Sequence, residues 1–505
     1  MTSDTSDTFD NNVYDLIVVG GGVNGTGIAM DAAGRGLKVI LCEMNDLASA
    51  TSSNSSKLIH GGLRYLEHYE FRLVRQALAE RESLLTNAPH IMWPMRFRLP
   101  HQSHLRPAWM IRTGLFLYDH LAKRELLKGS RSIRFDKNGP LVNEITKGFE
   151  YSDGWVDDAR LVVLTALAAQ EKGAQIRTRT KCTRATREGK LWNVTLTDQV
   201  TGKEQNIQCR ALVNASGPWV SKLFSDTMTI PAPKQIRMVK GSHIVVPKVH
   251  DEPEAYILQN ADDRIIFVIP YEDDFSLIGT TDVDYEGDPK KAKISPEEVD
   301  YLIGIVNDHF KNKLTDKDVV WSYSGVRPLM DDESGSAQKA SRDYTFEVDG
   351  GKTNAPLISV FGGKITTYRK LAEAATDRIC TFFPEAGPEW TKHAPLPGGD
   401  FSQQSELKAE LKTRYPWLPD DLAKRYVRTY GTRTHVLLSD CNSLNDLGQN
   451  FGANLYDAEI QYLVNHEWAR SAEDIVWRRT KLGLRLTDQQ VNQLQSYLDQ
   501  LLAAA

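Results

Sequence analysis

Three glycines and a following acid form the pattern of this chain with the most specific chemistry. Gly20, Gly22 and Gly25 stand in the GxGxxG spacing, directly after an apolar run and before a helix of small residues. In that spacing the glycines allow a tight turn, close approach of the backbone to a pyrophosphate, and close packing of helix on strand. Glu43 ends the next apolar run, where a carboxylate can accept a hydrogen bond from a ribose hydroxyl. The pattern predicts a dinucleotide site whose phosphates face a helix N-terminus.

A polar segment soon after the acid, SSNSSKLIHGGLRY at residues 52–65, is a second candidate for contact with a cofactor. Its short hydrogen-bond donors and two adjacent glycines suit a chain that lies against a flat polar ring. A solvated serine-rich loop would have the same composition, and Arg64 could equally be a surface residue. The residues alone leave both interpretations open.

Alternating strands and helices must position these residues, and other segments interrupt them. The same order of strand, glycine turn and helix recurs at 211–219 and at 357–364. Runs typical of β-strands dominate between about 236 and 290 and predict a second sheet. Ser295, followed by a proline and two acids, predicts the start of a helix.

We therefore predict an α/β fold with a Rossmann-like nucleotide-binding domain, a mixed-sheet substrate domain and a C-terminal helical domain. Helical periodicity and capping-box candidates at Ser471 and Thr487 support the helical assignment of the tail. The predicted boundaries are 13–80, 155–235 and 318–389 for the discontinuous nucleotide-binding domain, 81–154 and 236–317 for the substrate domain, and 390–505 for the helical domain.

Bulk composition excludes several classes of protein. The chain has 505 residues, a formal net charge of −5 and a pI of about 6.2, so its overall charge does not favour nucleic acid. Its 5 cysteines are scattered without metal-ligand spacing, which indicates reduced thiols in a cytosolic setting. Mean hydropathy is −0.40, and no run approaches the roughly 18 apolar residues of a spanning helix. Residues 1–12 lack signal-peptide features and are predicted to be a disordered tail.

Six motifs in one order carry a resemblance that covers most of the chain. They are GGGVNGTG, SSKLIHGGLRYLE, ALVNASGPW, VIPYEDDFSLIGTTD, YSGVRPL and VFGGKITTYRK, spread from about residue 14 to 370. Together they resemble the FAD-dependent sn-glycerol-3-phosphate dehydrogenases of aerobic bacteria. DIVWRRTKLG at 474–483 resembles the C-terminal domain of that family. Ser216 departs from the threonine that is more usual in the family's turn, but it keeps the hydroxyl.

The resemblance implies that the dinucleotide is FAD, bound without a covalent link, although His60 could in principle carry one. The residues implied to hold its ADP half are Gly20, Gly22, Gly25 and Glu43. Those implied to contact the isoalloxazine or ribityl part are Ser53, Ser55, Lys57 and Gly62. Further cofactor contacts are implied at Ser216, Gly217, Gly363, Lys364 and Thr366. Lys364 opens a helix, whose N-terminus would stabilise charge on the reduced ring.

The resemblance also implies the substrate, sn-glycerol 3-phosphate, and its oxidation to dihydroxyacetone phosphate by hydride transfer to FAD. A dianionic phosphate favours guanidinium groups, and Arg64 and Arg327 are the candidates, with Tyr65 beside them. The hydroxyl proton needs a base. His243, at the head of a predicted strand, titrates nearest neutral pH, whereas Lys364 would need its pKa lowered by burial or a neighbouring cation. The predicted catalytic residues are thus His243, Lys364 and Arg327, and the identity of the base stays open.

The family passes its electrons to membrane quinone, which implies a peripheral enzyme on the cytoplasmic face of the cell membrane. Residues 91–134 carry nine lysines and arginines against two acids, a balance of +7 (nine minus two) in a chain of net charge −5. An aromatic and apolar stretch at 109–118 interleaves with them, which is typical of a helix on an anionic lipid surface. A buried helix with a solvated basic face would show the same pattern. The sequence leaves the oligomeric state open, a homodimer included.

Other classes share the fold and stay open. A soluble glycerol-3-phosphate oxidase would use the same site but pass electrons to oxygen, and it would need no membrane-binding surface. A flavin-dependent amino-acid oxidase or dehydrogenase shares the glycine motif but needs a clamp for a carboxylate instead of a phosphate site. A noncatalytic FAD-binding or tRNA-modifying protein is disfavoured by the acidic charge balance.

Overall fold

The computed structural model describes residues 13–260, 262, 264–330 and 343–503, and for Arg64, Glu67, His68 and Met330 it describes the backbone alone. The tail predicted at residues 1–12 lies outside the described residues. All five cysteines lie within the described part of the chain and are free thiols.

Two sheets form the framework of the molecule. Their strands are, in chain order, β1 Tyr14–Val19, β2 Val39–Cys42, β3 Leu58–Ile59, β4 Met92–Pro100, β5 Arg131–Arg134, β6 Lys147–Val156, β7 Gln175–Arg177, β8 Thr180–Glu188, β9 Leu191–Asp198, β10 Glu204–Asn214, β11 Ile236–Pro247, β12 Ala255–Gln259, β13 Ile265–Tyr271, β14 Phe275–Gly279, β15 Val283–Asp284, β16 Trp321–Met330, β17 Tyr344–Asp349 and β18 Leu357–Gly362. The predicted α/β class with a second, mixed sheet is confirmed.

The first sheet has the order β17-β18-β10-β1-β2-β7, with β9 beside β10 and β8 beside β9. Its central strands β18, β10, β1, β2 and β7 run parallel. Parallel strands are buried on both faces, which accounts for continuous apolar runs such as residues 16–18. The carboxyl ends of β1, β10 and β18 therefore meet at one edge of this sheet.

The second sheet has the order β15-β11-β14-β13-β12-β4-β6-β3, with β16 beside β11 and β5 beside β6. Two of its strands lie in ranges that the sequence assigns to the nucleotide-binding domain, β3 within 13–80 and β16 within 318–389. β16 pairs with β11 from Ile236 opposite Met330 to Val245 opposite Trp321. Pairing between distant strands is set by cross-strand packing, which no local pattern encodes.

The α-helices are α1 Val23–Gly34, α2 Phe71–Asn87, α3 Ala108–His120, α4 Asp158–Glu171, α5 Val220–Leu223, α6 Pro296–His309, α7 Tyr368–Cys380, α8 Gln404–Arg414, α9 Asp420–Tyr430, α10 Thr434–Leu437, α11 Asp457–Glu467 and α12 Asp488–Ala503. α1 packs against α4 and α7 in the core beside the first sheet. The predicted start of α6 is confirmed, because Ser295 Oγ accepts from the Glu298 N–H and Glu298 Oε2 accepts from the Ser295 N–H.

Helices α8 to α12 form a C-terminal domain with its own apolar core. Both predicted capping boxes are present, at Ser471 and at Thr487. A π-helical turn, Asp474–Arg479, follows the first of them, and α12 follows the second. Arg160 of α4 donates to Glu467 of α11 at 2.9 Å in the buried interface with the rest of the molecule.

Candidate active site

A cavity of about 1340 Å³ lies where elements of the two sheets meet. Its volume exceeds the roughly 300–1,000 Å³ of typical small-molecule sites. The turns after β1, β10 and β18 form one end, and residues of β11, β13 and β16 form the other. A cavity of this size accommodates a large cofactor and a small substrate together.

The turn after β1 allows a ligand to approach the backbone closely. Gly20 has φ +116°, a conformation that L-residues rarely adopt, and a Cβ there would lie 2.5 Å from the Ala215 oxygen. A Cβ on Gly25 would lie 1.9 Å from the Gly20 oxygen, so α1 packs directly on the turn. Gly22 is the N-cap residue of α1 and lines the cavity. The helix N-terminus thus borders the cavity, where its backbone N–H groups suit a pyrophosphate.

Glu43 follows β2, and its carboxylate reaches the glycine turn. Oε2 accepts from the Gly21 N–H at 2.7 Å, and Oε1 accepts from the Asn45 N–H at 2.8 Å. Burial raises the pKa of Glu43, although the two backbone donors act in the opposite direction. Each carboxylate oxygen has a further lone pair, and Glu43 lines the cavity. Its carboxylate can therefore accept a hydrogen bond from a ribose hydroxyl.

The turn after β18 closes the same end of the cavity. Gly362 and Gly363 have φ +77° and +101°, and the Asn24 amide donates to the Gly362 oxygen at 3.2 Å. Asn24 Oδ1 is buried and has no hydrogen-bond partner among the described residues. Thr366 Oγ1 accepts from the His60 N–H at 3.2 Å, which ties the polar segment to this turn. A buried acceptor without a partner indicates a site for a ligand donor.

Most of the predicted cofactor contacts meet on the cavity wall. Those on the wall are Gly20, Gly22, Glu43, Ser55, Gly62, Ser216, Gly217, Gly363, Lys364 and Thr366. Gly25 lies behind the wall, between helix and strand. Ser53 and Lys57, two further predicted contacts, are not among the residues that line the cavity. Lys57 is fully buried and donates to Asp158 Oδ1 at 2.6 Å, because a buried ammonium needs a partner.

His243 lies in the middle of β11 and not at the head of a strand, because pairing with β16 extends β11 back to Ile236. Its ring is buried and stacks on the Tyr323 ring, with centroids 4.8 Å apart. Nε2 lies 2.9 Å from the Ser56 hydroxyl oxygen. Nδ1 is buried and has no hydrogen-bond partner within the described part of the chain.

Burial and two neighbouring cations set the charge state of His243. Burial holds its pKa well below the usual 6.5, and Arg327 and Lys57 lower the pKa further. The imidazole is therefore neutral at pH 7, which is the form that accepts a proton.

Arg327, on β16, lies on the same cavity wall as His243. Its guanidinium pairs with Asp282 and donates to Thr280 Oγ1 at 3.0 Å. A Cβ on Gly241 of the neighbouring strand would lie 2.2 Å from Arg327 Nη2, so glycine leaves the room that this side chain occupies. The structure thus brings a guanidinium and a neutral imidazole to one wall.

Lys364 and Tyr65 also line the cavity, and they contact each other. The Lys364 ammonium lies 3.8 Å from the centroid of the Tyr65 ring, within the range of a cation–π interaction. The side chain of Arg64 lies outside the described residues.

Sequence reasoning does not identify four residues that shape the site, namely Ser56, Asp158, Asp282 and Tyr323. Three of them stand inside motifs that carry the resemblance, so their position in those motifs was a usable signal. Asp158 lies outside the six motifs, and no local pattern of the sequence marks it as the partner of a buried lysine.

Helix α3 presents apolar side chains to the surface. The exposed fractions are 68% for Trp109, 53% for Phe116 and 42% for Leu117, whereas Leu115 and Tyr118 are buried. Trp109 and Leu117 also line the cavity, so the exposed apolar surface of α3 is continuous with the cavity wall. In the part of the chain that the structure describes, no helix combines the length and the apolar character that crossing a bilayer requires.

Acids from outside residues 91–134 neutralise part of the positive charge around α3. Arg96 and Arg131 pair with Glu150 at 2.6 and 3.0 Å. Arg98 pairs with Glu252 at 2.6 Å. The balance of +7 counted along the sequence therefore overstates the net charge of this surface.

Comparison with known proteins gives two family matches. Residues 15–369 match the family of FAD dependent oxidoreductases, and residues 390–503 match the C-terminal domain of alpha-glycerophosphate oxidase. The aerobic glycerol-3-phosphate dehydrogenase of Escherichia coli K12 is 57% identical over 485 residues, which are 96% of this chain and 97% of that protein.

Two further relatives bear on substrate and cofactor. The D-erythritol 1-phosphate dehydrogenase of Brucella abortus is 52% identical over 94% of this chain and 95% of that protein. The crystal structure of the glycerol-3-phosphate dehydrogenase from Bacillus halodurans, complexed with FAD, is similar with a TM-score of 0.74 and 26% identity. The match covers 97% of this chain and 94% of that one.

Proposed function

The chain belongs to the FAD-dependent oxidoreductases and, within them, to the glycerol-3-phosphate dehydrogenase family, and from that membership we propose that it oxidises sn-glycerol 3-phosphate to dihydroxyacetone phosphate. One observation carries the proposal: a single cavity joins the dinucleotide turn to the neutral imidazole of His243 and the guanidinium of Arg327. When bound, FAD supplies the acceptor for the hydride that leaves the alcohol carbon.

The residues at the first end of the cavity fit FAD. The glycine turn leaves space that a Cβ would fill, and Asn24 Oδ1 is a buried acceptor without a partner among the described residues. The N-terminus of α1 would hold the pyrophosphate, and Glu43 would hold a ribose. Lys364 and Thr366 would border the flavin end, beside the start of the helical turn that follows β18.

His243 is our candidate for the base. Oxidation of an alcohol requires that the hydroxyl proton be taken up as hydride leaves the carbon. Nδ1 would accept this proton in the tautomer whose Nε2–H donates to the Ser56 hydroxyl oxygen. Lys364 stays the alternative, since its ammonium lies on the wall of the same cavity.

Arg327→Ala should weaken binding of glycerol 3-phosphate and leave the flavin absorption spectrum intact. Loss of a charge-assisted hydrogen bond costs about 1.5–3 kcal/mol, so apparent affinity should fall roughly tenfold or more. Substrate titration in steady-state kinetics measures the change. Arg237→Ala is the matched control, because Arg237 pairs with Asp284 at 2.7 Å on the same sheet. Unchanged affinity in Arg327→Ala would place the phosphate site elsewhere.

A longer polyol phosphate is the second candidate substrate, because the Brucella abortus relative is named for D-erythritol 1-phosphate. The ratio of kcat/KM for the two phosphates decides between them. We expect the higher value for glycerol 3-phosphate, and the reverse order would assign the chain to the longer substrate.

We further propose that the electrons leave to a membrane quinone while the enzyme lies on the cytoplasmic face of the membrane. The exposed apolar side chains of α3, two of which (Trp109 and Leu117) also line the cavity, support this placement. Amphipathic surfaces of this kind bury apolar groups at the lipid boundary while basic residues attract anionic headgroups. An oxidase that uses oxygen has no need of such a surface.

Replacing Trp109 and Phe116 together with serine should reduce cosedimentation of the protein with anionic vesicles. Full burial of a large apolar side chain contributes about 1.5–3 kcal/mol, so the partition constant should fall roughly tenfold or more. Val200→Ser is the matched control, because Val200 is 74% exposed in the turn between β9 and β10 of the first sheet. Wild-type protein that ignores anionic vesicles would overturn the placement and favour the soluble oxidase.

Steady-state turnover of glycerol 3-phosphate with a soluble quinone analogue, with and without oxygen, tests the whole proposal. A quinone-linked enzyme should turn over without oxygen and form little hydrogen peroxide when oxygen is present. Peroxide formed in equal amount to oxidised substrate would identify an oxidase. Turnover of amino acids but of neither phosphate would reject the proposed function.

A further inference from the structure

Residues 477–481 of the C-terminal domain, which we call the 477–481 segment, contact elements that border the cavity. It lies in the DIVWRRTKLG motif, at the end of the π-helical turn Asp474–Arg479. Its side chains contact three separate places outside their own domain. None of the residues contacted, Asp46, Asp157 and Trp321, lines the cavity itself, so any effect of the segment on the site would pass through other residues.

The first contact is with the loop after β2. Arg478 Nε donates to Asp46 Oδ2 at 2.6 Å, and Arg479 donates to both Asp46 oxygens at 2.7 and 2.8 Å. Asp46 and Arg479 are buried. In the same loop, the Ala48 N–H donates to the Gly21 oxygen of the glycine turn at 3.1 Å. The two arginines therefore hold the loop that carries the predicted ribose acid.

The second contact is with the start of α4. Lys481 Nζ donates at 3.1 Å to Asp157 Oδ1, which also caps α4. The next residue, Asp158, accepts from the N–H and the hydroxyl of Ser55 at 3.1 and 2.8 Å, and from Lys57 Nζ at 2.6 Å. Ser55 lines the cavity. The start of α4 thus fixes the polar segment, and Lys481 fastens that start to the C-terminal domain.

The third contact is aromatic and leads to the candidate base. The Trp477 ring stacks on Trp321 of β16, with centroids 4.1 Å apart and an interplanar angle of 12°. Trp321 lies 5.0 Å from Tyr323, and Tyr323 stacks on His243 at 4.8 Å. Interiors packed at this density transmit small displacements, so the position of Trp477 bears on that of His243.

We propose that the 477–481 segment is a positioning element of the active site, through which the C-terminal domain fixes the cofactor loops and the strand that carries His243. Other contacts of this domain, such as Arg433 with Glu171 at 2.9 Å, attach it without reaching the site. Five consecutive residues thus contact three elements whose other residues line the cavity or pack against His243. Buried charge pairs contribute little net stability but hold a fixed geometry, which suits this role.

Lys481→Met tests the contact with α4. We expect anaerobic flavin reduction by glycerol 3-phosphate to slow about ten- to a hundredfold, because misplacement by about 1 Å costs up to 10²-fold. The substrate dissociation constant should change little, since Arg327 is untouched, and Lys481→Arg should restore most of the rate. Lys424→Met is the matched control, because Lys424 joins the C-terminal domain to Asp273 at 2.9 Å on the surface.

Asp46→Asn tests the contact with the loop after β2, which carries Glu43. It keeps the volume of the side chain but weakens both arginine contacts, and we expect the FAD dissociation constant to rise about tenfold. Fluorescence of released FAD measures this constant without any substrate. Asp273→Asn, which breaks the surface pair with Lys424, is the control and should retain FAD as the wild type does.

The outcomes separate positioning from simple attachment of a domain. A lowered melting temperature with wild-type rate and wild-type FAD affinity would overturn the inference, as would equal effects in the Lys424 and Asp273 controls. If Lys481→Met yields no folded protein, Trp477→Leu takes its place, because it removes the stack on Trp321. Its rate of anaerobic flavin reduction is then compared with that of the wild type. The inference rests on the proposed function only because glycerol 3-phosphate is used to reduce the flavin. If glycerol 3-phosphate does not reduce the flavin of the wild-type protein, the proposed function is rejected. The FAD dissociation constant of Asp46→Asn still tests the segment in that case, because its measurement needs no substrate.

Discussion

His243→Ala should slow anaerobic flavin reduction by glycerol 3-phosphate by about 10²–10⁴-fold, the usual contribution of a general base. The reason is that Nδ1 of this neutral, buried imidazole would take the hydroxyl proton. Stopped-flow absorbance of the bound flavin measures the rate. His250→Ala is the matched control, because His250 is also buried with a lowered pKa but does not line the cavity. Unchanged reduction in His243→Ala would transfer the role to Lys364 or to water.

The pH dependence of the wild-type rate follows from the same charge state. The pKa of His243 is held well below 6.5, so its base form persists as pH falls from 8 through 6.5. The rate should fall only as pH approaches the lowered pKa. Measurement at saturating substrate reports the enzyme–substrate complex and avoids the ionisation of free phosphate. A loss of rate centred at pH 6.5 would indicate an ordinary, solvated histidine.

Gly22→Val should abolish bound flavin while the protein still folds. The backbone at Gly22 has φ −82°, which a side chain tolerates, and a new Cβ would meet only Ser52 Oγ at 3.1 Å. The valine would occupy the space beside the helix N-terminus where the pyrophosphate is expected. Flavin content, measured by absorbance after denaturation, should fall from about one per chain in the wild type to near zero in the variant.

Two other glycines control this experiment. Gly304→Val, in α6, should retain flavin, because a Cβ there meets nothing within 4 Å. Gly25→Val should destabilise the fold as well, because a Cβ there would lie 1.9 Å from the Gly20 oxygen. Full flavin occupancy in Gly22→Val would show that the cofactor binds elsewhere.

Much of the fold could be predicted from the sequence, because its signals are local. The glycine turn at Gly20–Gly25, the apolar runs of the parallel strands and the capping box at Ser295 each act within a few residues of their own position. The pairing of β16 with β11 could not be predicted in this way. Its register depends on residues that lie 76 (Val245 and Trp321) to 94 (Ile236 and Met330) positions apart along the chain.

The candidate site shows the same limit at the level of side chains. Glu43 and Lys364 lie on the cavity wall where their motifs place them. Lys57 does not, because a lysine in a serine-rich segment looks exposed until Asp158, in another element, is known to face it. The stack of His243 on Tyr323 likewise joins two strands of the second sheet. What the sequence lacks is the set of contacts between elements.

Anaerobic mixing of the purified protein with sn-glycerol 3-phosphate tests the central claim most directly. The protein should carry FAD, and the visible absorbance of the oxidised flavin should bleach in a single turnover. Dihydroxyacetone phosphate should form in equal amount to the reduced flavin. Flavin that stays oxidised with glycerol 3-phosphate, but bleaches with an amino acid or with a longer polyol phosphate alone, would contradict the account.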